Sequence, residues 1–246
     1  MAKLKLHSLA GALIAGALLL TQTAQGDKAG PIERDYPLKQ ISPSTYVIEG
    51  PLEMPNPGNQ GFMNNPAFII GDAGIVVVDA GSTVQVGEML LKKIKSVSEL
   101  PVVATFSTHI HGDHWLGNQA IAEAYPEAVH YAHPKMIEQA NAGEGANWVS
   151  IMDTLTEGAS AGTLVVSPDT EVDDGEALTV AGRRFSIYHD EIAHTVTDIA
   201  IQFDDEKVLF AGDTVLNRQL RRMDDGNFKG LIGFLDRLIA LDADVY

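Results

Sequence analysis

Nothing in this chain constrains its fold more than the stretch Thr108-His109-Ile110-His111-Gly112-Asp113-His114. An apolar run, Val102-Val103-Ala104-Thr105-Phe106, leads into it, and an apolar, helix-compatible run beginning Trp115-Leu116 leads out. Side chains two apart in extended backbone point the same way, so His109 and His111 can grip one metal ion. Gly112 permits a sharp turn that a Cβ would resist. Asp113 and His114 then lie near a helix start, aimed at a second point in the same crevice. One ligand pair per direction suggests two metals side by side, and imidazole with carboxylate suits a borderline metal such as zinc. A lone histidine is usually incidental to a polar loop, but this many liganding side chains behind a buried-type strand are hard to produce by chance.

The chain has 246 residues, no cysteine and a formal net charge of −16. That length suits one domain. The acidic balance argues against nucleic acid and anionic membrane surfaces as partners. A metal site is the exception, because its cations create a local positive field. Lys3 and Lys5, the apolar run Leu9 to Leu20, and the small residues of Ala24-Gln25-Gly26 read as an export signal over residues 1–26, cleaved before Asp27. The apolar run is short for a membrane span, the alternative reading. A periplasmic or secreted destination follows, with residues 27–246 as the mature domain. Without cysteine the chain can form no disulfide and offer no thiolate to a metal.

In chain order, Gly30 to Pro43 reads as an arm laid over the domain, and Thr45 to Glu49 as a strand. Pro51 to Asn65 is a long turn. Phe62 and Met63 near its end either tuck into the core or form a flap over substrate. Ala67–Ile70 and Ile75–Val78 read as strands joined by a tight turn. Asp79 ends the second, and a carboxylate there needs a partner: it orients a metal-held histidine from behind, or it caps the next helix, a role Ser82 could also fill. Val84 to Val97 has helical spacing, and Ala120 to Tyr125 continues the helix after the histidine motif. His130 and His133 lack ligand-type neighbours. Trp148 either packs or borders the cleft. Lys135 to Asn141 and Ala146 to Leu155 read as helices. Strands are predicted at 177–180, 185–189, 199–203 and 208–211, which puts His194 and Asp213 in loops and at strand ends, where ligands gather in α/β sheets. His189, on a strand, reads as structural. Arg218, Arg221 and Arg222 form a solvated face or an anion clamp. Phe228 to Leu241 is an amphipathic helix with Leu231, Phe234, Leu235, Leu238 and Ile239 on one side, and Asp244-Val245-Tyr246 begins a strand.

His-x-His-x-Asp-His, the downstream His194, and Phe210-Ala211-Gly212-Asp213 together resemble the metallo-β-lactamase-fold hydrolase superfamily, whose first motif the strand ending in Asp79 also matches. The resemblance implies an α/β fold, a four-layer αββα sandwich built from two similar β/α halves, with a dinuclear zinc cleft between the sheets. It implies His109, His111 and His194 as ligands of one zinc, Asp113 and His114 as ligands of the second, and Asp213 as the carboxylate bridging both. The family pattern has one more histidine after the strand that begins near Val245, so the last strand, its helix and a ligand of the second site are expected beyond Tyr246. True β-lactamases tend to carry cysteine or serine where this chain has Asp213, so the motif is closer to glyoxalase II-like thioesterases and lactonases. An exported destination does not suit a glutathione thioester enzyme. The segment from Asp213 to Leu241 is similar to periplasmic metallohydrolases associated with quinoprotein or sulfur-oxidation systems. The expected chemistry is zinc-dependent hydrolysis of an ester, thioester, lactone or amide by a hydroxide formed between two cations, with Asp113 orienting the nucleophile or handling its proton. Lactam hydrolysis, a di-iron redox enzyme on the same ligands, and a non-catalytic periplasmic zinc-binding protein are the rivals. No Ser-His-Asp arrangement or phosphate-binding loop is visible.

Overall fold

Ile75-Val76-Val77-Val78 is apolar at every position, and a strand so composed needs cover on both faces. The computed structural model describes residues 27–218 and 222–246 and supplies that cover; the export signal over 1–26 and Arg221 lie outside the described residues. In chain order the strands are β1 (Leu38–Gln40), β2 (Thr45–Ile48), β3 (Ala67–Ile70), β4 (Ile75–Val78), β5 (Val102–Phe106), β6 (Val129–Ala132), β7 (Thr170–Glu171), β8 (Ala177–Val180), β9 (Arg183–His189), β10 (Ile199–Phe203) and β11 (Val208–Phe210). The helices are α1 (Val84–Lys95), α2 (Asn118–Ala124), α3 (Pro134–Gln139), α4 (Gly145–Leu155) and α5 (Phe228–Ile239). β1 to β7 form one seven-stranded sheet in sequence order, and β11-β10-β9-β8 form a second of four strands.

Alternation along the strands builds the layers. Phe68, Ile75 and Val77 turn outward to pack with Val86, Leu90 and Ile94 of α1 and Ile121 of α2. Ile69, Val76, Val78 and Phe106 turn inward, against Phe185, Ile187, Ile199, Ile201 and Phe203 of the smaller sheet. On the far side Ala200 and Leu209 meet Leu231, Phe234 and Leu238 of α5. Helices, sheet, sheet, helix is the expected four-layer sandwich. The halves are less alike than expected: β4 to β7 run parallel in the larger sheet, whereas the smaller sheet is wholly antiparallel.

Several local expectations need correction. The arm over 30–43 contributes an edge strand, β1, antiparallel to β2. Thr83, not Ser82, caps α1 by accepting from the Val86 N–H. The chain over 112–117 is a series of turns, so Asp113 and His114 precede α2 by more than the spacing suggested. Gly112 opens those turns, and a Cβ there would lie 2.6 Å from the Cβ of Trp148. Ile239 is 70% exposed, so the buried stripe of α5 is narrower than predicted. Val245 does start a pairing, bridging Val208 in parallel. Among the described residues no helix is long and apolar enough to cross a membrane.

Candidate metal centre

Topology brings the motif residues together. β4 and β5 are parallel, so their C-terminal ends share one edge of the large sheet. β9 and β11 are both antiparallel to β10, so their C-terminal ends share one edge of the small sheet. Asp79 follows β4, residues 107–114 follow β5, His194 follows β9, and Asp213 follows β11. The two edges are tied directly: the Ile199 N–H donates to the Thr108 carbonyl at 2.8 Å, and the Ile110 N–H donates to Thr197 Oγ1 at 3.0 Å. Gly212 takes a φ of 52°, and a Cβ there would lie 2.8 Å from Thr108. A residue that is both small and left-handed therefore lets Asp213 reach the motif.

The expected donors converge. Ligand atoms of His109, His111, His194 and Asp213 all lie within 4.8 Å of one another. His114 Nε2 is 3.3 Å from Asp113 Oδ2 and 3.2 Å from Asp213 Oδ1. Asp213 Oδ2 lies 3.6 Å from His194 Nε2. Asp213 thus stands between two donor groups, one oxygen turned to each. His109, Asp113, His114 and His194 are buried, while His111 and Asp213 are half-buried.

The far nitrogens of two histidines are already committed. The Thr108 N–H and hydroxyl both donate to the Asp79 carboxylate at 2.8 Å. With its proton so engaged, Thr108 Oγ1 accepts from His109 Nδ1 at 3.0 Å. That leaves the lone pair of His109 on Nε2, which is buried with no hydrogen-bond partner among the described residues. Asp79 Oδ2 also accepts from His114 Nδ1 at 2.7 Å. Metal-binding histidines characteristically donate their other N–H in this way. A buried lone pair without a partner is costly in a purely structural cluster and fits a site built for a cation. The donor set, imidazole and carboxylate without thiolate, fits a divalent metal.

The electrostatics agree. Burial works against charge on His114, but Asp113, Asp79 and Asp213 outweigh it and hold its pKa well above the ordinary histidine value. Burial, with His114 and His111 alongside, pushes His109 well below. Three carboxylates around one imidazole create a negative field that attracts any cation. Asp198, which the sequence reading passed over, is pushed up to about 7 by burial, against a hydrogen bond from the Thr195 N–H.

Other candidates resolve individually. Phe62 is fully buried and meets the Tyr36 ring edge-on at 4.7 Å, so it belongs to the core and not to a flap. Met63 lines the cleft together with Asp79, Asp113, His114, Asp213 and Arg218. The cleft, about 860 Å³, is large enough for a small molecule. Trp148 borders the site, its ring 5.2 Å from that of His111. Arg222 pairs with Asp224 on the surface, whereas Arg218 lines the cleft. His130 accepts from or donates to Thr105 in the core, and His133 stacks on His189 at 3.8 Å, all away from the centre. Sequence reasoning also missed Thr197 and Asp225, the latter 3.0 Å from His111 Nε2.

Residues 60–246 match the family model described as the metallo-beta-lactamase superfamily. The hydroxyacylglutathione hydrolase of Synechococcus sp. (strain JA-3-3Ab) is 28% identical over 153 residues, 62% of this chain and 50% of that protein. The chain thus spans about half the length of the curated relatives it matches. A metallo-beta-lactamase from Pontibacter korlensis superposes with a TM-score of 0.63 at 18% identity, over 83% of this chain and 85% of the other. The metallo-beta-lactamase IND-7 does so with a TM-score of 0.62 at 20% identity, over 84% and 85%. At those identities the structures speak for the fold alone. With a family match over most of its length, the fold of its solved neighbours and a His/Asp metal-binding group at the meeting of its two sheets, this chain belongs to the metallo-beta-lactamase superfamily.

Proposed function

We infer that the protein is a zinc-dependent hydrolase of a small molecule carrying an ester, thioester, lactone or amide. The observation that carries this reading is the convergence of His109, His111, His194 and Asp213, with the lone pair of His109 Nε2 left for a metal by the Thr108–Asp79 chain. His109, His111, His194 and Asp213 would hold one ion; Asp113, His114 and Asp213 would hold the second. When bound, such ions lower the pKa of water and polarise a carbonyl. The chain's own residues do the rest. Asp113 Oδ2, buried beside His114, would take the proton a water gives up. Asp79 fixes the His114 ring, Met63 forms apolar cleft wall, and the Arg218 guanidinium offers a partner for an anionic group on the substrate.

Metal analysis of the purified protein, paired with a panel of esters, thioesters, lactones and lactams, tests the reading. Wild-type protein should carry zinc and turn over at least one carbonyl substrate. His111→Ala should lose metal and activity together, and full zinc content in that variant would refute the ligand assignment. Because imidazole and carboxylate also suit iron, an iron-loaded, coloured protein with no hydrolytic turnover would replace zinc hydrolysis with redox chemistry. Zinc at full occupancy with no turnover across the panel would leave a metal-binding protein of the same address, which we infer to be periplasmic or secreted from the 1–26 leader.

A further inference from the structure

The histidines of the centre are not held alike. His109 and His114 are buried and clamped through Thr108 and Asp79. His111 sits at the rim with its side chain 16% exposed, and its hold comes from another part of the chain. The segment just before α5 crosses the His194 loop here. A Cβ on Gly226 would fall 2.2 Å from the Ala193 oxygen and 2.4 Å from the His194 oxygen, so the backbone lies directly on that loop. The Asn227 N–H donates to the Ala193 carbonyl at 3.1 Å, and the Asn227 side chain caps α5 by accepting from the Gly230 N–H at 2.7 Å. Anchored at both points, the segment sets Asp225 Oδ2 3.0 Å from His111 Nε2. His111 Nδ1 faces the other way, 3.1 Å from His194 Nε2, with the Trp148 ring flanking the imidazole.

A neutral imidazole carries one proton, and the hydrogen bond made by one nitrogen decides which lone pair the other presents. A carboxylate at Nε2 fixes the proton there, leaves the lone pair on Nδ1, and raises the basicity of that donor. We propose that Asp225 is the positioning residue of His111: it selects the Nε2–H tautomer, which leaves the lone pair on Nδ1, holds the ring toward His194, and so sets the metal affinity of the centre. This rests on the metal reading of His109, His111, His194 and Asp213. Asp225 is itself 63% exposed, and an ion pair so exposed adds little to folding. Its loss should therefore register in metal binding and not in the stability of the metal-free protein.

Competition of zinc between the full chain and a chromophoric chelator, run beside thermal melts of metal-free protein, tests this. Asp225→Ala should bind zinc about 10- to 100-fold more weakly, the range seen when such orienting partners are lost, with the metal-free melt unchanged. Asp225→Asn, whose amide oxygen still accepts from Nε2–H but without charge, should fall between the two. Zinc affinity of Asp225→Ala within about twofold of wild type, outside that range, would overturn the proposal while leaving the metal centre intact. A lowered metal-free melt in both variants would overturn it in favour of a folding role. A wild-type chain that takes up no zinc would overturn this proposal and the hydrolase reading together.

Discussion

Asp79 Oδ2 lies 2.7 Å from His114 Nδ1, and the same carboxylate accepts both the backbone N–H and the hydroxyl of Thr108. One buried side chain at the end of β4 therefore aligns donors on both sides of the centre: His114 directly and His109 through Thr108. It does so from a backbone φ of 56°, in the left-handed region where a non-glycine residue is uncommon.

Asp79→Ala should accordingly damage metal binding and folding together. It leaves the Thr108 N–H without its acceptor in a buried site, worth about 1–3 kcal/mol, and frees two imidazoles to rotate, for which about 10- to 100-fold in metal affinity is expected. Chemical denaturation of the metal-free variant measures the first effect and chelator competition the second. Metal affinity equal to wild type would refute the orienting role.

Phe62 and Met63 should separate cleanly, because neighbouring residues face different surroundings. Phe62→Ala removes a fully buried ring packed on Tyr36 and should cost about 3–5 kcal/mol of stability. Met63→Ala, at the cleft wall, should change stability by less than about 1 kcal/mol while shifting KM for whichever substrate is found. Urea unfolding and steady-state kinetics on the pair check this; a stable Phe62→Ala variant would contradict the packing described.

A pH dependence should come from a pair of rings remote from the centre. His133 is lowered to about 4, chiefly by burial and then by His189, which stacks on it. Its neutral Nδ1 accepts from the Lys135 N–H to cap α3, and protonation removes that acceptor. The folded pKa lies below the ordinary histidine value of 6.5, so the unfolded chain binds the proton first as pH falls. The contribution is complete above about 6.5 and is lost progressively down to about 4. His133→Asn keeps a capping acceptor but cannot titrate, and should flatten the fall in unfolding midpoint across that window. An unaltered slope would locate the pH sensitivity elsewhere.

The sequence shows which residues cluster and which way they point, and much less of how far apart they finish. The strand-ending positions of Asp79, His194 and Asp213 were legible because apolar runs end abruptly in polar, ligand-type residues. The reason for glycine at 112 is only partly legible, because spacing cannot reveal that Trp148, over thirty positions later, occupies the space a Cβ would need. Asp198 and Asp225 were invisible for another reason. The chain holds 33 acidic residues, and nothing local distinguishes one that the fold carries to a histidine 114 positions away. Ile239 failed because helical periodicity gives the face a residue occupies and not how far the supporting sheet extends beneath it.

Donors at 109–114 come from one sheet and those at 194 and 213 from the other. A cation gripped by both sets would act as a cross-link between the two layers, in a chain whose lack of cysteine denies it the covalent kind. Separating the layers would then require giving up the ion, so resistance to proteases should follow the supply of free metal in the surroundings. For such a chain, scarcity of the ion would shorten molecular lifetime as well as silence turnover.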